Sequence, residues 1–589
     1  MLFLKHGGHV LEQDDPKARG LDGRREDLTL ARRISRSLAK VLERDETSPF
    51  DYLFPDLARD PQARLPADDP AATVAALKAL GAAMVEQTPP PRGEDSTIPA
   101  VYTYWGQFVD HDLTANTDRD SSVSDITRDD LKPLDPADVV AKLRNLRRPT
   151  LDLDSLYGDG PSVWGNRGED AGFYDGIRFR LGQLTDAPGI PGVKIPPEGD
   201  LDRDLPRIGV LLDRGVIKEG DFTPEERETV NFRTRAFIGD ARNDENLIVG
   251  QLHLAFLRFH NRVVDRVERG GLGFGHGHGH RRQAEAFLYA RRVTTWTYQW
   301  LCVHDWLRTL TAPGTVDKVL LAGPKHYAPR GGRLFMPLEF SVAAFRFGHS
   351  MVRGAYDHNR NFGLEANVAP VATFDDLFLF TGNGFLRQNG TVTPNPFRGA
   401  PTLPFNWPIE WDRFTDKGSA LGFRFARKLD TRLAGPLLDL VNEGNLEGDA
   451  TFKALLKNLA QRNLLRGYLL AMPTGQAAAR AMGVPPLSEA ELRRGNSDAV
   501  NAALDRGGFV HKTPLWYYVL KEAEVRADGN FLGELGSRIV CETVLGLLHH
   551  DRGSFLHARG WSPADGVRLD GGDPVVTVRD FFRFAGVGT

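Results

Sequence analysis

Cysteine is nearly absent from this chain of 589 residues: only Cys302 and Cys541 are present. One disulfide at most could form, which excludes a stapled secreted scaffold and makes buried free thiols the expectation. No segment approaches the roughly 18 consecutive apolar residues of a membrane span. The apolar run at the N-terminus, MLFLKHGG, stops too early for a Sec-type leader, so the expectation is a cytoplasmic protein or export by a leaderless route. An excess of either charge is missing too. With 74 basic and 78 acidic residues the net charge is -4, which removes the electrostatic case for nucleic acid or an anionic membrane. Strand-like alternation is scarce, and no repeat of fixed period is visible.

Helical periodicity is plentiful. Residues 1–96 read as an N-terminal arm and linker: a charged helical stretch (DLTLARRISRSLAKVLERD), the apolar pattern AATVAALKALGAAMV, then the proline-dense TPPPRGEDST. Residues 97–589 read as one large, mainly α domain with long loops and little β structure. Long apolar helices are predicted after Glu245 and at AEAFLYARRVTTWTYQWLCVHDWLRTL, PLEFSVAAFRFGHSMVRGAY, FKALLKNLAQRNLLRGYLLAM and GSRIVCETVLGLLHH. The tract GGLGFGHGHGHRRQ, with His276, His278 and His280 between glycines, reads as a solvated loop. His253 and His260, seven apart on one predicted helix, read as structural.

Polar groups enter these apolar helices at four places. In VYTYWGQFVDHDL, helical spacing puts Gln107 and His111 on one face, Asp110 beside it and Asp112 away from it. In GDARNDEN, Arg242 and Glu245 are three apart. Arg346 and His349 are three apart in AAFRFGHSMV, where a buried neutral imidazole suits an axial iron ligand. Asn463 and Arg466 repeat that spacing in LAQRNLLRGYLL; such an asparagine can bond to a histidine, and such an arginine to a carboxylate.

In this order, WGQFVDHDLT, GDARNDEN, AFRFGHSM and RNLLRG resemble the haem peroxidases of the peroxidase-cyclooxygenase superfamily, the myeloperoxidase-like animal haem peroxidases, in their bacterial form. The likeness runs from about Ile98 to about Gly586. It implies a mainly α haem peroxidase domain that reduces hydrogen peroxide through an oxoferryl state. Halide, thiocyanate or small aromatic donors would then be oxidised. The resemblance assigns His111 as distal base, Gln107 as its companion and Arg242 as distal arginine. It also assigns His349 as iron ligand, Asn463 as its partner and Arg466 as a propionate contact, with Arg346 among the cofactor-binding residues. Asp110 and Glu245 match the carboxylates that are ester-linked to haem b. Asn246 stands where myeloperoxidase has a methionine, so a third, sulfonium link cannot form. Asp112, Thr150 (through its carbonyl), Asp152 and Asp154 match a calcium loop, but Arg148 replaces a threonine ligand. Two alternatives share the fold: a fatty-acid dioxygenase or cyclooxygenase, which needs a tyrosine where Arg346 stands, and a non-catalytic haem-binding protein. The reductant and the oligomeric state are not readable from these residues.

Overall fold

Asp69 and Pro70 start the first long helix, α1 (Pro70–Ala83): proline tolerates the first helical position and the Asp69 carboxylate accepts from Ala72 N. In the computed structural model, residues 48–86, 95–115, 126–127, 131–158, 161, 172–186, 199–269, 280–363, 368–382, 384–415, 425–445, 448–558 and 560–588 are described. The charged stretch before Ser48, most of the proline-dense TPPPRGEDST, residues 187–198 and the glycine-histidine tract at 270–279 lie outside them. Among the further helices are α2 (Val101–Leu113), α3 (Leu247–Glu268), α4 (His280–Leu301), α5 (Leu459–Leu469), α6 (Leu515–Ala527), α7 (Glu534–His550) and α8 (Val578–Ala585). The chain is mainly α, as its periodicity predicts. Among the described residues no helix is long and apolar enough to cross a membrane.

Strands are short. β1 (Ser48–Asp51) pairs antiparallel with β2 (Arg144–Asn145) and parallel with β3 (Met336–Pro337). Part of the stretch read as an arm therefore lies on the helical body. α1 packs closely on α5 because Gly81 has no side chain: a Cβ there would sit 2.8 Å from Gln461. Gln461 Nε2 also donates to Lys78 O at 3.0 Å. Glu339, fully buried, ties the N-terminal segment down by accepting from Leu53 N at 2.7 Å and Phe54 N at 3.0 Å. Burial pushes its carboxyl up to about 7, against these amides and Arg330, which favour the charged form. Glu339→Ala strands two buried donors and is expected to cost about 2–4 kcal/mol in denaturant unfolding, and a loss below about 0.5 kcal/mol would refute this anchor.

Three predicted helices differ in the structure. PLEFSVAAFRFGHSMVRGAY forms a π turn (Glu339–Ala343) followed by a 3-10 helix (Ala344–Met351), broken at Ala343 with φ -128° and ψ -74°. FKALLKNLAQRNLLRGYLLAM divides at Asn458, which is extended and whose side chain caps α5 through Gln461 N. Beyond α4 the chain continues through a π turn, Cys302–Trp306, into Leu307–Leu310. Apolar periodicity survives each break, so pattern alone does not reveal them.

Behind α2 lies an aromatic wall. Phe108 stacks on Phe256 of α3 at 4.5 Å, and Trp105 meets Phe256, Tyr298 of α4 and Phe581 of α8. Both Cys302 and Cys541 are buried free thiols. This packing, with Trp105 and Phe108 fully buried, fixes the orientation of the α2 face that carries the polar residues.

Candidate active site

A cavity lies where α2 meets the 3-10 helix. Gln107 and Asp110 line it from α2, Glu245 and Asn246 from the entry to α3, and Arg346 and His349 from the 3-10 helix. Phe345, Phe347, Phe374, Phe378, Leu437 and Leu440 supply its apolar surface. Three residues per 3-10 turn explain why Arg346 and His349 reach the same space. Among the described residues that line it, His111, Arg242, Asn463 and Arg466 are absent; Asn463 reaches the cavity through His349.

His349 Nδ1 is 2.9 Å from the Asn463 amide nitrogen, Nδ2. While that nitrogen donates to Nδ1, the imidazole keeps its proton on Nε2. A half-turn of the amide puts Oδ1 at the same place and makes Nδ1 the donor, which frees the Nε2 lone pair for a metal. The Trp516 indole of α6 donates to Arg346 O at 3.1 Å and lies edge-on to His349, holding the segment from the other side. Arg466 lies three positions beyond Asn463 on α5, and burial pushes its guanidinium down to about 10.

His111 Nδ1 lies 2.8 Å from Asn243 Oδ1. The Arg242 guanidinium grips Asp240, with Nη2 at 2.7 Å from Oδ2, and also donates to His111 O at 2.7 Å. Asp240 is fully buried and forms a second ion pair with Arg147. Burial alone would raise the Asp240 carboxyl, yet Arg242 and Arg147 hold it well below the usual carboxylate range. Burial lowers His111 to about 4, Arg242 adding to the effect while Asp240 and Asp110 oppose it.

The wall carboxylates are already engaged. Asp110 accepts from Thr114 Oγ1 at 3.1 Å and lies 3.8 Å from Arg346 Nη1; Glu245 accepts from Asn442 Nδ2 at 2.9 Å. Gln107 is held by Asn246 Nδ2 at 3.2 Å.

On the other side of α2, carboxylate oxygens of Asp112, Asp152 and Asp154 lie within 4.8 Å of one another. Leu151 and Leu153 adopt φ of 53° and 59°, a left-handed backbone that leucine resists and that the loop imposes. Thr150 O accepts from Gln299 Nε2 at 3.4 Å. Arg148 is half-exposed, 3.9 Å from Asp152, whereas Arg147 is buried and 3.4 Å from Asp154. Burial, then Asp154 and Asp152, push the Asp112 carboxyl well up; burial likewise raises Asp154 to about 6 despite Arg147.

Sequence reading passed over Asp240, Asn243, Arg147 and Asn442. Two of these were visible inside GDARNDEN, where polar residues flank Arg242 on both sides. Nothing local marks Arg147 or Asn442, whose partners are distant in the chain.

In this mainly α chain one imidazole, His349, lies on the cavity with the Asn463 amide against it, while a second, His111, lies off the wall with the Arg242 guanidinium on its carbonyl, an arrangement consistent with a peroxidase fold. Residues 211–380 match the family model "Animal haem peroxidase". Peroxidase A of Dictyostelium discoideum shares the fold, at a TM-score of 0.50 and 15% identity over 92% of this chain and 94% of its own. The fatty acid alpha-dioxygenase of Oryza sativa shares it at 0.50 and 14%, over 92% and 80%. A "Peroxidase-like protein" of Margaritifera margaritifera is 24% identical over 278 residues, 45% of this chain and 33% of that relative. The chain thus spans about one third of the length of the curated relative it matches.

Proposed function

We propose that this protein is a haem-dependent peroxidase that reduces hydrogen peroxide and oxidises a small anion, such as a halide or thiocyanate, or a small aromatic donor. The observation that carries this reading is the His349–Asn463 pair on a cavity that Gln107 and Asp110 also line. The residues suit haem: one imidazole for iron, phenylalanines and leucines for a flat macrocycle, and Arg346 for a propionate. Haem supplies the redox-active iron at which peroxide is reduced. His349 Nε2 would hold that iron, with Nδ1–H donating to the Asn463 amide oxygen. His111 would accept the first proton of peroxide, directly or through one water, and return it to the departing oxygen. Arg242, fixed by Asp240, would oppose the negative charge on that oxygen. With a halide, the balance is peroxide, halide and one proton in, water and hypohalous acid out.

The dioxygenase alternative is disfavoured because Arg346 stands where a radical-forming tyrosine would be needed. Spectra after haem addition, peroxide titration and assays with iodide, bromide, thiocyanate and a phenol test the proposal. A missing Soret band, or no peroxide turnover with any donor, would end it.

Two finer readings belong to the same proposal. Asp110 and Glu245 would form ester links to haem; acid–acetone extraction should then leave haem with the protein, and haem freely extracted refutes the links. Calcium would bind through Asp112, Asp152, Asp154 and the Thr150 carbonyl, with Arg148 turned to solvent. Elemental analysis is expected to find about one calcium per chain, lost in Asp152→Ala together with thermal stability. A calcium-free protein with unchanged melting in chelator contradicts this.

A further inference from the structure

Asn243 is fully buried between two imidazoles: its Oδ1 is 2.8 Å from His111 Nδ1 and its Nδ2 is 3.0 Å from His253 Nδ1. His253 is fully buried two turns into α3. An amide has one accepting and one donating end, so each neighbour's protonation is dictated. Facing Oδ1, His111 Nδ1 must carry a proton; facing Nδ2, His253 Nδ1 must be a lone pair. We propose that Asn243 and His253 are positioning residues that hold His111 in the Nδ1–H tautomer, leaving its Nε2 lone pair as the proton acceptor for peroxide. The inference rests on the peroxidase reading of His111.

The turn that carries Asn243 is pinned. Asp240 caps Ala241–Asp244 through Arg242 N, Asp244 pairs with Arg207 at 2.7 Å, and Asn246 caps α3 through Val249 N. These bonds fix the backbone at Asn243 and with it the place of the amide between the two rings. The opposite amide orientation would put the His111 proton on Nε2, converting the base into a donor. Whichever way the amide faces, the two rings carry opposite protonation at Nδ1, so their tautomers change together. His260, two turns further along the same helix, does not share this role: Tyr157 and the Ile177 carbonyl satisfy both of its nitrogens.

The test uses the full chain labelled with [15N]histidine, in which nitrogen shifts separate the two tautomers; signals of His111 and His253 are identified by their loss in His111→Phe and His253→Phe. The expected pattern is Nδ1–H at His111 and Nε2–H at His253. In Asn243→Asp, which accepts on both sides, His111 keeps its tautomer and His253 switches to Nδ1–H. With haem added, Asn243→Leu is expected to slow the peroxide-induced Soret change about 100-fold while haem affinity stays the same, and Asn243→Asp to recover most of that loss. An Nε2–H at His111, an unswitched His253 in Asn243→Asp, or an undiminished rate in Asn243→Leu overturns the proposal. Should the tautomers appear as expected but the wild type not react with peroxide, the peroxidase reading falls and the tautomer lock stands.

Discussion

His349→Ala is expected to abolish stable haem binding. It removes the only imidazole on the cavity wall among the described residues, and with it the group best suited to hold iron beside apolar side chains. Haem added to the variant should give the spectrum of non-specifically adsorbed haem, with affinity at least about 100-fold weaker than wild type, beyond the 10–100-fold that follows loss of an outer partner. Asn463→Leu supplies that smaller step, because Nδ1 loses its hydrogen bond while the ligand remains. The 3-10 helix should survive in both variants, held by Trp516 on the Arg346 carbonyl and by Arg346 Nε on Ser341 O at 2.8 Å. A His349→Ala protein with an unshifted Soret band and wild-type affinity would remove His349 as the ligand.

His111→Leu is expected to keep haem and lose peroxide reduction, by about 100- to 10,000-fold, the usual worth of a positioned general base. Its pH dependence gives a sharper check. The neutral imidazole is the active form. Burial, assisted by Arg242, lowers His111 to about 4 from its ordinary value near 6.5. The peroxide step should therefore be flat from pH 7 to about 5 and fall only as His111 is protonated near pH 4. Arg242→Gln removes one lowering influence, so the acid limb moves to higher pH as the rate drops. A wild-type acid limb at pH 6.5, or no movement in Arg242→Gln, would show that another group controls the step. The same depression acts on stability. Between about pH 4 and 6.5 the unfolded chain binds a proton at this residue that the folded chain does not, so its contribution is present above 6.5 and is lost as pH falls through 4.

Much of the site was legible because its residues share short stretches. Gln107, Asp110, His111 and Asp112 occupy about one and a half helical turns; the spacing set Asp112 apart, where it joins the acidic cluster, but it grouped Gln107 with His111, whereas Gln107 and Asp110 share the cavity wall and His111 is off it. The pairs Arg346/His349 and Asn463/Arg466 were visible by spacing, although a 3-10 helix carries the first pair where an α-helix was predicted. The π turn before it and the break at Asn458 were not legible, since one extra residue in a turn leaves the apolar pattern nearly intact.

By itself the sequence determined which residue types stand at helical intervals, hence the mainly α architecture, Asp110 beside the face of Gln107 and His111, and Asp112 turned from it. Helical geometry is local, set by hydrogen bonds four residues apart, so a few neighbouring residues suffice to state it. Only the tertiary structure decided which groups meet: His111 with Asn243, His349 with Asn463, and Asp240 with both Arg147 and Arg242. Those meetings join residues up to 132 positions apart. They arise from the packing of α2 on α3, and of the 3-10 helix near α5 and α6, where burial makes every unpaired charge costly and so selects a single arrangement of partners.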